Sequence, residues 1–205
     1  YSTPRLYMQD LFVNSPLDTN YEDGILDITA KLRNSTGQVQ EDGSLQVFLY
    51  DGKHQMVGNG PVAQTRNISA IPNGTMKVLR FKTEVDDPKT WTAEHPNLYK
   101  VVLALKNAEG ETIEVAKTQT GFRTVEIKDN MFMVNGEPVK LKGANLHDHD
   151  PTSGRTVSEK WMRKDVRLMK RNNLNAVRMA HYPHDQKYYD LFDKYGLYVI
   201  DEANI

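Results

Sequence analysis

Histidines and aspartates alternate in one short stretch of the chain, KGANLHDHDP. The side chains that could do chemistry there are those of His147, Asp148, His149 and Asp150. Burying such groups costs free energy unless they are paired or bound to a ligand. The stretch therefore has three interpretations at this point: a metal site, a set of hydrogen-bonding groups for a polar ligand, or a hydrated loop.

Further polar side chains occur downstream, each group at the end of an apolar segment that predicts a β-strand. The groups are Asn145, His147, Asp148 and His149 after the first strand, Arg178 and His181 after the second, and Asp201, Glu202 and Asn204 after the third. Parallel strands end at the same edge of a sheet, and ligands bind at that edge in (β/α)8 barrels and in doubly wound sheets alike. We therefore expect the three groups to converge on one polar ligand site.

The spacing restricts how these candidates can act. Neighbouring residues on a strand point to opposite faces, so at most one of Asp201 and Glu202 can face the site. For the same reason Asp148 is expected to point away from His147, toward a supporting or packing role. Arg178 fits two roles equally, as the ion-pair partner of a strand carboxylate or as a direct substrate contact.

The elements that position these groups change type along the chain. Up to about residue 125, runs such as LDITAKLR and SLQVFLY alternate apolar and polar residues, and turn signals such as Asp51-Gly52 separate them. This pattern predicts a β-sandwich of immunoglobulin-like type. Beyond it, Asn135-Gly136 in MFMVNGEPVKL predicts a hairpin with a type I′ turn.

The remaining residues predict the order β-α-β-α-β. Thr156 and Glu159 have the spacing of a capping box, which predicts a helix start. Two sets of apolar residues recur at helical intervals: Trp161, Met162, Val166, Leu168 and Met169 in the first helix, and Tyr188, Leu191, Phe192 and Tyr195 in the second, which Gly196 ends. Short connections between the elements predict parallel strands that are buried on both faces.

The composition excludes several classes of partner. The 205 residues carry a formal net charge of -1, which gives no bulk attraction to nucleic acid or to an anionic membrane. No apolar run is long enough to cross a bilayer. We therefore expect neither nucleic acid nor membrane as a partner. Cysteine is absent, so thiol chemistry is excluded and no compartment is indicated.

Several motifs, read in order, resemble a known family. GFRTVEI, NGEPVKLKGANLHDHDP, NNLNAVRMAHYPH and YGLYVIDEANI resemble glycoside hydrolase family 2, and within it the β-galactosidases; TWTAEHPNLYKVVLAL resembles the end of that family's immunoglobulin-like domain. The resemblance implies a multidomain fold, an immunoglobulin-like β-sandwich followed by a truncated (β/α)8 TIM-barrel segment. We expect the sandwich over residues 1–125 and the N-terminal part of the catalytic barrel over residues 126–205.

The resemblance also implies an activity for a longer parent protein. Family members are retaining β-glycosidases, so the expected reaction is hydrolysis of terminal β-D-galactosides or oligosaccharides through a covalent glycosyl-enzyme. Both catalytic glutamates and a magnesium site are expected beyond this chain. We accordingly expect no catalytic residue and no metal ligand within it, and the fragment alone should be inactive.

The resemblance assigns roles to individual residues. His147 and His181 match family histidines that contact the sugar and stabilise the transition state, and Arg178 matches an arginine that supports the catalytic carboxylates. Asn204 belongs to a motif with an architectural role around the pocket. The secondary candidates are Asn145, Asp148, Asp201 and Asn204. Leu146 and Asp148 stand where many relatives have arginine and glutamate, which bears on substrate specificity.

Alternatives stay open beside this interpretation. They are another family 2 activity (β-glucuronidase or β-mannosidase), a metal-dependent amidohydrolase barrel in which His147 and His149 bind zinc, and a non-catalytic carbohydrate-binding sandwich module. The upstream sandwich and the DEANI tail argue against the amidohydrolase. The strands predicted at Val139–Asn145 and Leu197–Asp201 would leave barrel edges unpaired. Three routes compensate for this: packing on the sandwich, pairing with the hairpin at Asn135-Gly136, or association with another copy, and self-association is the hypothesis adopted.

Overall fold

A computed structural model describes residues 2–204, which divide into two units. The first unit comprises residues 2–88 and 98–124, and the second comprises residues 89–97 and 125–204. Residues 89–97 thus lie in the second unit, although they fall inside the range expected for the sandwich. No helix in the described part of the chain is long and apolar enough to cross a membrane.

The first unit consists of antiparallel strands in two sheets. Its strands are β1 (Leu6–Asn14), β2 (Gly24–Asn34), β3 (Gly43–Tyr50), β4 (Ala63–Ile68), β5 (Met76–Val85), β6 (Tyr99–Lys106) and β7 (Thr112–Thr120). One sheet has the order β1-β2-β5 and the other the order β4-β3-β6-β7. A single apolar core is built from both sheets, which confirms the sandwich.

Alternation along the strands produces that core. The apolar residues of LDITAKLR and SLQVFLY are fully buried, as the period of two predicts: Leu26, Ile28, Ala30, Leu32, Leu45, Val47 and Leu49 are each 0% exposed. Their polar neighbours on the same strands are partly exposed.

The second unit begins with a three-stranded antiparallel sheet, β8 (Val125–Lys128), β9 (Met131–Val134) and β10 (Glu137–Pro138). The predicted turn is confirmed: Asn135 and Gly136 have φ angles of 52° and 79°, and both central residues of a type I′ turn need positive φ. Asp129 and Asn130 have φ angles of 51° and 60° and form a second turn of this kind, which sequence reasoning missed.

Three parallel strands and two helices complete the unit in the predicted order. They are β11 (Gly143–Leu146), α1 (Glu159–Arg171), β12 (Ala176–Met179), α2 (Gln186–Tyr195) and β13 (Tyr198–Asp201). The strands pair in the order β11-β12-β13, and both pairings are parallel. All three carboxyl ends therefore lie at one edge of the sheet.

The helices cover one face of this sheet. Val177 and Met179 of β12 are 0% exposed and share an apolar cluster with residues of α1 and α2. The opposite face carries the register row Asn145–Arg178–Ile200, in which Ile200 is 46% exposed. The expectation of burial on both faces is therefore wrong for the described residues, because helices pack on one face only.

The helix ends follow the sequence in part. Helix α2 ends at Gly196, which adopts φ 77° as a left-handed C-cap, as predicted. Helix α1 begins at Glu159 with Ser158 at the N-cap position, so the capping box that placed the start at Thr156 is wrong. Leu168 is 57% exposed, so it does not belong to the buried stripe of Met162, Val166 and Met169.

Candidate active site

Polar side chains converge at the carboxyl edge of the parallel sheet. The register places Asn145 of β11 beside Arg178 of β12, on the face opposite the helices. Glu202 directly follows β13, and His181 lies two residues after β12. We call Asn145, Arg178, His181 and Glu202 the edge cluster.

Arg178 lies at the centre of the edge cluster. Its Nε and Nη2 donate to Oε1 of Glu202 at 3.0 and 2.6 Å, and its Nη1 donates to Oδ1 of Asn145 at 3.3 Å. A planar guanidinium can hold three such contacts because its N–H donors are fixed in one fork. The side chains of Arg178 and Glu202 are 35% and 28% exposed, so the pair remains open to a ligand.

Glu202 also orients His181. Its Oε2 lies 2.9 Å from Nδ1 of His181, and the pKa of Glu202 is held below its usual range, chiefly by the hydrogen bond from Arg178. An ionised carboxylate only accepts hydrogen bonds, so Nδ1 carries the proton and donates. Nε2 of His181 is thereby left for a ligand, and the side chain is 66% exposed.

The histidine of the opening motif joins this group. The ring of His147 lies 5.3 Å from that of His181, centroid to centroid, at an angle of 67°. Both residues are exposed, on loops that follow neighbouring parallel strands. The structure thus places Asn145, His147, Arg178 and His181 close together at this edge of the sheet. The arrangement offers donors and acceptors to a ligand rich in hydroxyl groups.

The remaining predicted site residues lie elsewhere. Asp201 was a candidate site residue, and the structure corrects this. Its Oδ1 accepts from the hydroxyl of Tyr189 in α2 at 2.9 Å, so Asp201 faces the helices while Glu202 faces the edge cluster. Oδ1 of Asp148 lies 3.2 Å from Nδ1 of His184, a side chain with 0% exposure. Asn204 is exposed.

Sequence reasoning missed two residues. Glu202 was weighed against Asp201 but not retained. The register pairs Ile200 with Arg178, and only with that register does counting by two from Ile200 place Glu202 on the face of Arg178. His184 gave no signal, because nothing in HYPHD distinguishes a buried histidine from an exposed one.

A metal site does not emerge from these side chains. Magnesium prefers near-octahedral oxygen ligands, and zinc binds four or five nitrogen, sulfur or oxygen ligands. Among residues 2–204, no group of three or more histidine, aspartate or glutamate side chains is placed to hold a metal ion. The magnesium site implied by the resemblance is expected beyond this chain, and no step below uses a metal.

Comparison with protein-family models covers nearly the whole chain. Residues 6–123 match the model described as glycosyl hydrolases family 2, and residues 125–205 match its TIM barrel domain. The sandwich, the parallel unit with its edge cluster and these matches agree. The chain belongs to glycoside hydrolase family 2.

Individual relatives support the same family. The chain is 41% identical over 206 residues to a beta-galactosidase of Priestia megaterium and 42% identical over 205 residues to one of Photobacterium profundum. Each alignment covers 100% of this chain and 19% of the relative, so the chain spans about a fifth of their length.

Solved structures share the fold. A beta-glucuronidase 2 of Bacteroides uniformis superposes with a TM-score of 0.88 at 25% identity, covering 99% of this chain and 25% of that one. A beta-glucuronidase of Parabacteroides merdae gives a TM-score of 0.82 at 26% identity, covering 98% of this chain and 24% of that one.

Proposed function

We propose that this chain supplies the sandwich and the first three strands of the catalytic barrel to a retaining β-galactosidase. The observation that carries the proposal is the edge cluster, which sits at the carboxyl ends of parallel strands, where barrel enzymes bind substrate. Identity of 41–42% to beta-galactosidases over the full length of the chain supports the sugar.

The chemistry proposed is double displacement. Two carboxyl groups about 5–5.5 Å apart act as nucleophile and acid/base, and a covalent glycosyl-enzyme forms between the two steps. The Bacteroides uniformis relative, solved covalently bound to cyclophellitol-6-carboxylate aziridine, supports such a covalent step.

Neither carboxylate at the end of β13 suits these two roles. Asp201 faces α2. Glu202 has a lowered pKa and accepts hydrogen bonds from Arg178 and His181 through both oxygens, so it neither donates a proton nor attacks freely. We therefore propose that the nucleophile and the acid/base come from residues outside this chain.

The histidines would then stabilise the transition state. Nε2 of His181 and the ring of His147 can hydrogen-bond sugar hydroxyls, and such bonds accelerate the reaction to the extent that they strengthen as charge develops. Glu202 holds His181 in one tautomer, and Arg178 holds Glu202.

A β-glucuronidase is the second candidate, because the solved relatives at 25–26% identity include two such enzymes. A glucuronide carries a carboxylate, which calls for a cation with a free charge-assisted donor pair. In the edge cluster the charge of Arg178 is matched by Glu202. This local neutrality favours an uncharged sugar.

The test uses the full-length protein. Expected results are a higher kcat/KM for p-nitrophenyl β-D-galactoside than for the β-D-glucuronide or the β-D-mannoside, and β-galactose as the first product seen by ¹H NMR. Preference for the glucuronide would contradict the sugar, and α-galactose as first product would contradict the retaining mechanism.

Three further parts of the proposal concern self-association, the activity of the chain alone and magnesium. Within the described residues β11 and β13 are edge strands, and Ile200 is 46% exposed, so we propose that the 205-residue chain self-associates through them. Sedimentation equilibrium with and without residues 141–205 tests this, and monomers in both cases would contradict it.

The chain alone should not hydrolyse a chromogenic galactoside. For the full-length protein, we propose magnesium dependence, tested by chelation and re-addition.

A further inference from the structure

A fully buried histidine lies behind the edge cluster. The side chain of His184 is 0% exposed and packs between the rings of Tyr182 and Tyr188, at centroid distances of 5.1 and 6.1 Å. Its Nε2 lies 3.3 Å from the backbone oxygen of Ala180, and its Nδ1 lies 3.2 Å from Oδ1 of Asp148. Both of these neighbours are oxygen acceptors.

The contact between His184 and Asp148 depends on where the protons lie. The carbonyl oxygen of Ala180 can only accept, so Nε2 of His184 carries a proton and donates. In a neutral ring Nδ1 would then present a lone pair to the carboxylate of Asp148, an unfavourable contact away from water. A proton on either Nδ1 or Asp148 would make this contact at 3.2 Å favourable, although the contact lacks hydrogen-bond geometry.

The environment of Asp148 is consistent with a shared proton. Burial raises the pKa of Asp148, and the neighbouring Asp185 acts in the same direction, while His184, His147 and Arg155 oppose them. A pair that holds one extra proton between its members is neutral overall, which is the state that a buried position favours.

The position of this pair in the chain connects it to the site. Asp148 directly follows His147, and Ala180 directly precedes His181. His184 thus contacts both loops that carry the exposed histidines, whose rings lie 5.3 Å apart.

We propose that His184 is a positioning residue, which ties the loop after β11 to the end of β12 and so sets the spacing of His147 and His181. The inference rests on the proposed function for its kinetic consequence, whereas the spacing itself does not depend on which sugar is hydrolysed. His184 does not face the edge cluster and takes no direct part in the chemistry.

Two substitutions at His184 separate this positioning role, which we call the tie, from simple packing. His184→Phe keeps a ring between the two tyrosines but removes both polar contacts, whereas His184→Gln gives up the ring but can still donate to Ala180. The tie requires kcat to fall in the order wild type, Gln variant, Phe variant, with KM changed less. If the ring of His184 only fills space, the Phe variant should have the higher kcat of the two variants. His95→Gln, at an exposed histidine, is the matched control and should match wild type.

The expected loss of kcat/KM in His184→Phe is about 100-fold, the scale reported for a 1 Å misplacement of positioned groups. Asp148→Asn should give a smaller loss, and the double variant with His184→Phe should be no worse than His184→Phe alone, since contacting residues are coupled. If His184→Phe does not fold, Asp148→Asn and His184→Gln carry the comparison.

A crystal structure of each variant of the full-length protein gives a readout that is independent of substrate. The separation of the His147 and His181 rings should change from 5.3 Å in the Phe variant and stay unchanged in the His95→Gln control. An unchanged separation together with kcat/KM within twofold of wild type would overturn the tie. If the protein prefers another sugar, the proposed function fails, and the same comparison on that sugar still decides the tie.

Discussion

Replacing Arg178 by lysine keeps the positive charge of the edge cluster and removes its fork. The guanidinium of Arg178 donates to Glu202 through two nitrogens and to Asn145 through a third, at 2.6–3.3 Å. A lysine ammonium is a single point donor on a flexible stem, so it can replace the contact to Glu202 but not the planar set. Glu202 and Asn145 then lose their fixed relation, and with Glu202 the orientation of His181.

The sizes of the two consequences differ, and this difference makes the prediction testable. The side chains of Arg178 and Glu202 are 35% and 28% exposed, and an ion pair open to solvent contributes little to stability. Misplacement of a positioned group costs about 100-fold in rate, which is about 2.7 kcal/mol of transition-state stabilisation. The loss of activity should therefore exceed the loss of folding stability.

The assay is kcat/KM of the full-length Arg178→Lys protein on its preferred galactoside, combined with urea denaturation. Arg171→Lys, at an exposed arginine in the last turn of α1, is the matched control and should resemble wild type in both. Activity within threefold of wild type, or a loss fully explained by the unfolded fraction, would refute the role assigned to Arg178.

Three other substitutions test the fold and its electrostatics. Leu103→Ala, at a residue with 0% exposure, should destabilise the sandwich by about 2–5 kcal/mol in urea, whereas Val115→Ala at 60% exposure should change it little. Gly196→Ala should lower the thermal midpoint of the second unit, because φ is 77° and the added Cβ would lie 2.2 Å from a backbone oxygen; an unchanged midpoint would contradict the clash. Glu202 has a pKa below its ordinary value of 4.5 because Arg178 donates to it, so its stabilisation is present above that value and is lost as pH falls through the lower one. Glu202→Gln should accordingly flatten the decline of stability below pH 4.5, and an identical acid profile would refute the coupling.

Patterns that depend on local spacing were the ones the sequence could predict. Alternation placed Leu26 and Leu45 in the sandwich core, Asn135-Gly136 marked a turn, and Gly196 marked a helix end. In each case the signal is a backbone geometry or a face that the residue type itself favours. The order β-α-β-α-β followed from the same signals, and with it the convergence of the polar residues.

Features that depend on tertiary packing were missed. Leu168 fits the helical period of α1, but no other described element covers that side of the helix, so it is exposed. Thr156 matches a capping box, yet the chain enters the helix at Ser158. The choice between Asp201 and Glu202 needs the register of β13 against β12, which spacing within one strand does not supply. His184 is identified only by the side chains packed around it.

The central claim is that the edge cluster and His147 form part of a sugar-binding site. The most direct measurement is a crystal structure of the full-length protein with a galactose-configured inhibitor bound. The expected result is a ring nitrogen of His147 and one of His181 each about 2.7–3.2 Å from a sugar hydroxyl oxygen, with Arg178 still bound to Glu202. A sugar bound with neither histidine within hydrogen-bonding distance would contradict the claim.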